Sequence, residues 1–407
     1  MAIHEDRISQ LPRDILISII SRLSLREATS TCILSTRWRH LHTYITQLNF
    51  PKYVHKINEI STLSNYESMV DHVLNSHRGS RIKEFSLNGE GNFESCFKFA
   101  LNKKAEIIHI AMYNEKDLDL DFLRLPSTNN GLQCLKDLSL FGLKLTDQYF
   151  ELLVSNCTTL ESLTVKLSYE LKNVSIVGLS KLKRLNLSSF MEVESIVIRD
   201  AISLVSLTLQ QLSSGCTVQF SNTPKLTKLN FGERFGKFML AEFLDRMSSC
   251  ISDQLQVMHL STSVDFFMHK SDPHFHDELF RIDLVNIKYL ELEITIMGFC
   301  RSLYMLRHFC RLVEACSSLD KLVIKCTCTP TYDKCRLESY VGQCKLSFKY
   351  LEIMGYLGTP TQLELALYVI RNAASLEKVT VVANDQDALA RARHDFRHIR
   401  SVSFLVI

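Results

Sequence analysis

Four cysteines, Cys326, Cys328, Cys335 and Cys344, fall within one stretch of the chain, and clustered thiolates are what a zinc ion takes. Zinc sites pair their ligands across two to four residues. Here the close pair encloses one residue and the second pair is wide, so loop and core thiols are the better reading. His269, His274 and His276 surround Asp272 and Asp277 and could also ligate a metal, but a polar loop accounts for them. Glycine is scarce, at 13 residues, and no Gly-rich run ends in Lys-Ser/Thr to cradle a phosphate. Gly89-Glu90-Gly91 lacks the third glycine of a dinucleotide loop and reads as a turn. No G-x-S-x-G nucleophile turn occurs, although a triad assembled from distant positions leaves no local mark. Arg391, Arg393, Arg397 and Arg400 could touch phosphate, but they fit a solvated helix face. The expectation is a protein without a catalytic centre, metal or cofactor, which acts by binding.

The bulk properties agree with a folded binding protein. The chain has 407 residues, 46% hydrophobic and 22% charged, which are globular values. A net charge of +3 gives no whole-chain field that would draw nucleic acid or a membrane. The lead-in Met1 to Arg7 lacks the order of a signal peptide, and no apolar run approaches the ~20 residues of a membrane span. The 13 cysteines are an odd number set in apolar patterns, so they are expected to be reduced thiols acting as small core residues. The expected location is cytoplasm, nucleus or both.

The elements that must carry any binding surface are repeated. An apolar residue, two others, an apolar residue, one other and an apolar residue recur along most of the chain. The theme appears at Ile82/Phe85/Leu87, Ile107/Ile110/Met112, Leu135/Leu138/Leu140 and Leu160/Leu163/Val165. It continues at Leu182/Leu185/Leu187, Leu204/Leu207/Leu209, Leu226/Leu229/Phe231 and Leu255/Met258/Leu260. It ends at Ile287/Leu290/Leu292, Leu319/Leu322/Ile324, Phe348/Leu351/Ile353 and Leu376/Val379/Val381. Starts lie roughly 22 to 32 residues apart, near the leucine-rich-repeat period. The last two apolar positions share one side of a strand and point inward. One unit cannot bury its own face, but stacked units build a continuous core. The expected fold is α/β, a curved solenoid with a parallel sheet on its concave face and the connections forming the convex back. Residues 266–277 and 325–342 read as loops between coils, residues 65–76 as a helix, 391–397 as a basic helix and 401–407 as a last strand.

The N-terminal stretch Leu11 to Leu41 reads as three short helices. Ile15, Ile19 and Leu23 recur every fourth residue, with Leu16 and Ile20 beside them. Ser24-Leu25-Arg26-Glu27 fits a capping box, so a second helix should begin there, carrying Ala28 and Cys32. Ser35 is placed to cap a third helix with Trp38 and Leu41. A unit of about 40 residues seldom closes its own core, so some apolar surface must be covered by the rest of the chain or by another protein. Leu11-Pro12, Ile15-Leu16, Ile19, Ser21, Leu23, Leu34-Ser35, Arg37-Trp38-Arg39 and Leu41 resemble the F-box, in order and over the whole module. Ser24 departs from the proline that plant relatives often carry. Lys345 to Val381 resembles the FBD domain of plant F-box proteins, through Leu351-Glu352-Ile353, Gly355, Gly358-Thr359, Glu364-Leu365, Asn372-Ala373 and Leu376-Glu377-Lys378.

These resemblances imply an F-box at 6–47, a helical linker and cap at 48–80, a leucine-rich-repeat solenoid at 81–344 and an FBD-like repeat and cap at 345–407. They imply the substrate-recognition subunit of an SCF-type cullin–RING ubiquitin ligase, itself non-catalytic. Its partners would be a Skp-family adaptor, a cullin through that adaptor, and a substrate protein. Family positions put Leu11, Pro12, Ile15, Leu16, Ile19, Leu23, Cys32, Leu34, Trp38 and Leu41 partly in the F-box core and partly against the adaptor. Substrate contacts are expected from outward strand residues: Arg184, Asn186, Lys228, Asn230, His259, Tyr289, Glu291, Glu293, Lys321 and Lys325. Two other readings remain: a binding scaffold outside any ligase, whose N-terminal helices merely cap the solenoid, and a receptor holding a small ligand on the concave face.

Overall fold

The computed structural model describes residues 8–50, 60–89, 92–112, 120–124, 131–190, 192–212, 215–232, 253–265, 284–297, 304–328, 345–399 and 403–407. The chain forms two compact units, Met1–Val193 with Asp200–Ile202, and Glu194–Arg199 with Ser203–Ile407. Among the described residues, no helix is long and apolar enough to cross a membrane.

The first unit starts with the helices Arg13–Ile20 and Leu25–Ser30. The capping box forms: Glu27 N–H donates to Ser24 Oγ at 3.3 Å, and Ser24 N–H donates to the Glu27 carboxylate at 2.9 Å. The Ser24 hydroxyl also donates to that carboxylate, at 2.7 Å, and this bond together with the one from the Ser24 N–H holds the Glu27 carboxyl below its ordinary range. The expected third α-helix is absent. Thr31–Ile33 and Leu41–Tyr44 are 3-10 turns instead. Leu34, Trp38 and Leu41 N–H groups donate to the carbonyls of Thr31, Ser35 and Trp38. Such bonds put residues three apart on one side, which sends both Trp38 and Leu41 inward. Ser35 Oγ is buried without a partner, so it caps nothing.

The strands of this unit are β1 (Gln47–Asn49), β2 (Glu84–Asn88), β3 (Ile107–Ala111), β4 (Asp137–Phe141), β5 (Ser162–Lys166), β6 (Asn173–Val177) and β7 (Arg184–Ser188). β1-β2-β3-β4-β5-β7 pair in parallel order. The inward pairs Phe85/Leu87, Leu138/Leu140, Leu163/Val165 and Leu185/Leu187 are buried as their spacing requires. Each fully buried side chain contributes about 1.5–3 kcal/mol relative to exposure. One repeat is shifted from its expected register. In β3 the inward pair is Ile108/Ile110, opposite Leu138/Leu140, and Ala105 takes the leading buried position. Ile107 faces outward. The apolar Ile107 and Met112 offered a false match two residues late.

The second unit contains β8 (Ser195–Arg199), β9 (Ser206–Gln210), β10 (Thr217–Ser221), β11 (Lys228–Gly232), β12 (Val257–Asp265), β13 (Tyr289–Met297), β14 (Lys321–Cys328), β15 (Tyr350–Tyr356), β16 (Lys378–Ala383) and β17 (Ser403–Val406). β9-β11-β12-β13-β14-β15-β16-β17 are parallel. β8 and β10 pair apart from that sheet, in a second one. β6, β8 and β10 were expected to be plain connections. Leu171/Val174/Ile176 and Val193/Ile196/Ile198 repeat the same apolar spacing half a coil out of step, and all six side chains are buried.

The FBD-like motif explains its own residues. Gly355 and Gly358 sit at φ +69° and +77°, where a side chain would strain the turn. Thr359 then caps the helix Pro360–Asn372, and Gln362 closes the capping box. The Gln362 amide also donates to the carbonyls of Cys326 and Gly355, locking that helix to β14 and β15. The basic helix spans Gln386–Asp395 and covers one side of the last strand through Phe396, whose ring lies 5.2 Å from Phe404. Residues 266–277 and most of 325–342 lie outside the described residues, as do His269, His274, His276, Cys335 and Cys344. Among the described residues, no group of three or more His, Cys, Asp or Glu could hold a metal. Burial pushes the Cys96, Cys157 and Cys316 thiols up to about 12, so they are inert packing groups.

Candidate functional site

Two surfaces carry the residues singled out by sequence, and they differ in chemistry. The first is the N-terminal helical knob. Leu16, Ile20, Ala28, Trp38 and Leu41 form its closed interior. Trp38 is 4% exposed, and its indole N–H donates to Ser9 Oγ at 2.8 Å. The neighbouring Arg37 guanidinium donates to the carbonyls of Ser9 and Leu11. Leu16, Trp38 and Leu41 are therefore withdrawn as adaptor contacts, because their surfaces are already spent on the knob itself. Leu11 and Cys32 are half-buried, and Pro12 is exposed.

Several large apolar side chains remain bare on it. Ile15, Ile19 and Leu23 are 48%, 40% and 37% exposed, one stripe at every fourth residue. Ile33 and Leu34 on the adjoining 3-10 segment are 83% and 61% exposed, and Ile8 is 58% exposed. Ile8 and Ile33 were not singled out by sequence; Ile33 precedes Leu34, and only the 3-10 geometry turns both outward.

The knob is not loosely tethered. Arg78 N–H donates to the Thr43 carbonyl at 2.8 Å, and Lys83 N–H to the Thr46 carbonyl at 2.7 Å. Buried His77 Nε2 lies 3.0 Å from the Ile45 carbonyl, and Lys103 Nζ donates to the Gly79 carbonyl at 2.7 Å. Thr46 N–H donates to Ser21 Oγ at 3.0 Å, tying the segment that feeds β1 back to the first helix. Desolvation lowers the His77 pKa, with Lys103 adding to it against the opposing Ile45 carbonyl. His77 thus stays neutral as a junction group.

The second surface is the outward side of the parallel strands. In the first unit it is mostly small and neutral: Ser86, His109, Ser139, Thr164 and Asn186 stand in register. Arg184 lies 3.8 Å from Asp137, which also meets His109 at 3.3 Å and raises its pKa. Asn186 accepts from Ser188. In the second unit the side chains are longer and charged. Glu291 collects His259 Nδ1 and the Tyr289 hydroxyl, each at 2.9 Å, together with Lys325 Nζ. Its burial works against ionisation, yet the Lys325, Tyr289 and His259 partners outweigh it and hold the carboxyl low. Lys321 pairs with Glu352 and lies 5.8 Å from the Tyr289 ring centre. Val323, between these two lysines on β14, is 1% exposed although it faces outward. Asn230 accepts from Gln210, while Lys228 and Glu293 are exposed. Thus His259, Tyr289, Glu291 and Lys325 form one cluster, flanked by Lys321, with Glu293 opposite Lys325 and Asn230 opposite His259 in register; Lys228 lies on the neighbouring row, and Arg184 and Asn186 belong to the first unit.

Family models match three successive parts of the chain: the F-box domain at residues 8–41, the LRR repeats of FBD-associated F-box protein At5g56370 at 101–240, and FBD at 338–381. The chain belongs with the plant F-box/leucine-rich-repeat proteins that carry an FBD domain. It is 27% identical to a putative FBD-associated F-box protein, At5g22720, of Arabidopsis thaliana, over 93% of this chain and 88% of that one. It is 25% identical to the Arabidopsis F-box/FBD/LRR-repeat protein At5g53840, over 97% and 91%. It is 26% identical to the Arabidopsis FBD-associated F-box protein At4g10400, over 92% of both. The apolar knob is the F-box, and the outward strand faces belong to the repeats and the FBD region.

Proposed function

We propose that this F-box/LRR/FBD protein is the substrate-recognition subunit of an SCF-type cullin–RING ubiquitin ligase. Its F-box docks a Skp-family adaptor, and the outward faces of its strands hold a substrate protein. The observation that carries the reading is the F-box itself: a closed core around Leu16, Trp38 and Leu41, with Ile15, Ile19, Leu23, Ile33 and Leu34 left bare outside it. Side chains of that size stay uncovered at a cost unless a partner seals them. The chain performs no chemistry; a separate enzyme transfers ubiquitin, and this subunit supplies proximity and orientation. The hydrogen bonds through Thr43, Ile45 and Thr46 serve that role by fixing the F-box to the first strands. The work is done in the cytoplasm, the nucleus or both.

The test is capture of a purified Skp-family adaptor by the wild type, by Leu11→Ala/Pro12→Ala and by Ile15→Glu/Ile19→Glu. The exposed pair can be changed without disturbing the core. Loss of capture by the Ile15/Ile19 variant, with its circular dichroism unchanged, supports docking. Equal capture by all three removes it, and leaves a binding scaffold that acts outside a ligase.

A further inference from the structure

We propose that the edge of the last strand, β17, is completed by a second copy of this chain, through antiparallel pairing of the two β17 strands about Leu405. Among the described residues β17 pairs with β16 alone and stands last in the sheet. The contrast with β16 shows what one more strand would do. Val379 and Val381, the inward pair of β16, are fully buried with a strand on either side. Phe404 and Val406 stand in register with them on β17 and are only half-buried, although the Phe396 ring lies against Phe404. Leu405 and Ile407, on the opposite side of the strand, are exposed. The backbone points the same way. The Ser403 and Ile407 N–H groups donate to the Glu377 and Val381 carbonyls. Alternation along the strand therefore turns the N–H and C=O groups of Phe404 and Val406 away from β16, onto the free edge. Residues 403–407 carry no charged side chain, proline or bulge to guard that edge.

The occupant is a second copy because β17 matches its own edge. With Leu405 on a twofold axis, Phe404 of each chain stands opposite Val406 of the other. Each such pair exchanges two hydrogen bonds, four in all, so every outward N–H and C=O of Phe404 and Val406 finds a partner. The two Leu405 side chains meet at the close, non-hydrogen-bonded position, with Cα atoms about 4.5 Å apart. Phe404 lies beside Val406 of the second copy on the inward side, which extends the core around Phe396 across the axis. Like charges meet nowhere along the pair, because the strand has none. The contact is isologous and closes on itself: it uses the same edge of both chains, whereas a foreign strand would leave its own far edge open. Four residues a side make a small contact, which belongs with weak, reversible association. This inference goes beyond the ligase reading and does not depend on it.

The experiment is sedimentation velocity of the full chain between about 1 and 200 µM, which should show a reversible shift from one chain mass to two. Leu405 is exposed, so it can be changed without emptying the core. Leu405→Lys and Leu405→Glu should each weaken association at least about tenfold, because like charges then meet on the axis. Mixing the two variants should restore it, since only the twofold register sets position 405 opposite itself. Val406→Pro deletes an outward N–H and no bond to β16, and should weaken association by about the same factor. Ile15→Glu/Ile19→Glu should leave it unchanged, which separates this edge from the bare stripe of the F-box. A single chain mass at every concentration overturns the proposal. So does association that ignores both charges at position 405, that fails to recover in the mixture, or that is lost with the Ile15/Ile19 change. Adaptor capture is read separately: its loss with association intact would sink the ligase reading and spare this one.

Discussion

The F-box and the outward face of the second unit are both exposed, yet they leave opposite things unsatisfied. The F-box ties Trp38 to Ser9 and Arg37 to two backbone carbonyls, and leaves a stripe of aliphatic surface bare. The sheet face hides its apolar side, buries even the outward Val323, and presents charges that mostly pair with each other. Bare aliphatic surface gives affinity with little demand on its partner beyond shape. Prearranged charge gives selectivity, because a wrong partner leaves desolvated groups unmatched. A chain that must hold one constant partner and choose one variable partner would divide its surfaces in this way.

Four measurements would break or sharpen that contrast. The largest effect belongs to the F-box interior. Trp38→Ala should cost about 3–5 kcal/mol in chemical denaturation, because it empties the core and releases Ser9. A loss near zero would mean that Trp38 is surface after all. Next comes the bare stripe. Ile19→Glu should leave the denaturation midpoint nearly unchanged but weaken adaptor binding by at least 2 kcal/mol, read by calorimetry. If it instead unfolds the F-box, the stripe is structural. On the sheet, Glu291→Gln should cost about 1 kcal/mol or less, because His259 and Lys325, which lose their anion, remain partly exposed to solvent. A double-mutant cycle with Lys325→Met should return a favourable coupling. A coupling of zero would show that the cluster is ordinary solvated surface.

The smallest effect is a pH slope at the junction. His77 has a folded pKa below its ordinary 6.5, so the unfolded chain binds the proton more readily. Stability is therefore full above about pH 6.5 and falls as the pH drops below it. His42, lowered by burial and by His40 and His72, acts in the same direction, whereas His109, raised by Asp137, acts in the opposite one. The difference in melting temperature between pH 7.5 and pH 5.5 should shrink in His77→Gln relative to the wild type. An unchanged difference would remove His77 from the junction.

The sequence alone determined most of the repeating core and where the second N-terminal helix starts. A period-two apolar pair must face inward wherever it falls, so Leu138/Leu140, Leu207/Leu209 and Leu322/Ile324 declared their strands without tertiary information. Ser24 and Glu27 declared a helix start for the same local reason. Only the tertiary structure decided what local pattern left degenerate. Ile107/Ile110/Met112 and Ala105/Ile108/Ile110 both fit the theme, and the register against Leu138 and Leu140 chose the second. Trp38, Leu41, Ile33 and Leu34 are all apolar and close in sequence, and the 3-10 winding buries the first two and bares the others. Partners on separate strands, such as Glu291 with Lys325, come together only when the sheet sets them side by side. Hydrophobic periodicity reports how far a residue is turned from solvent along its own element; which neighbour it meets depends on the stacking of elements far apart in the chain.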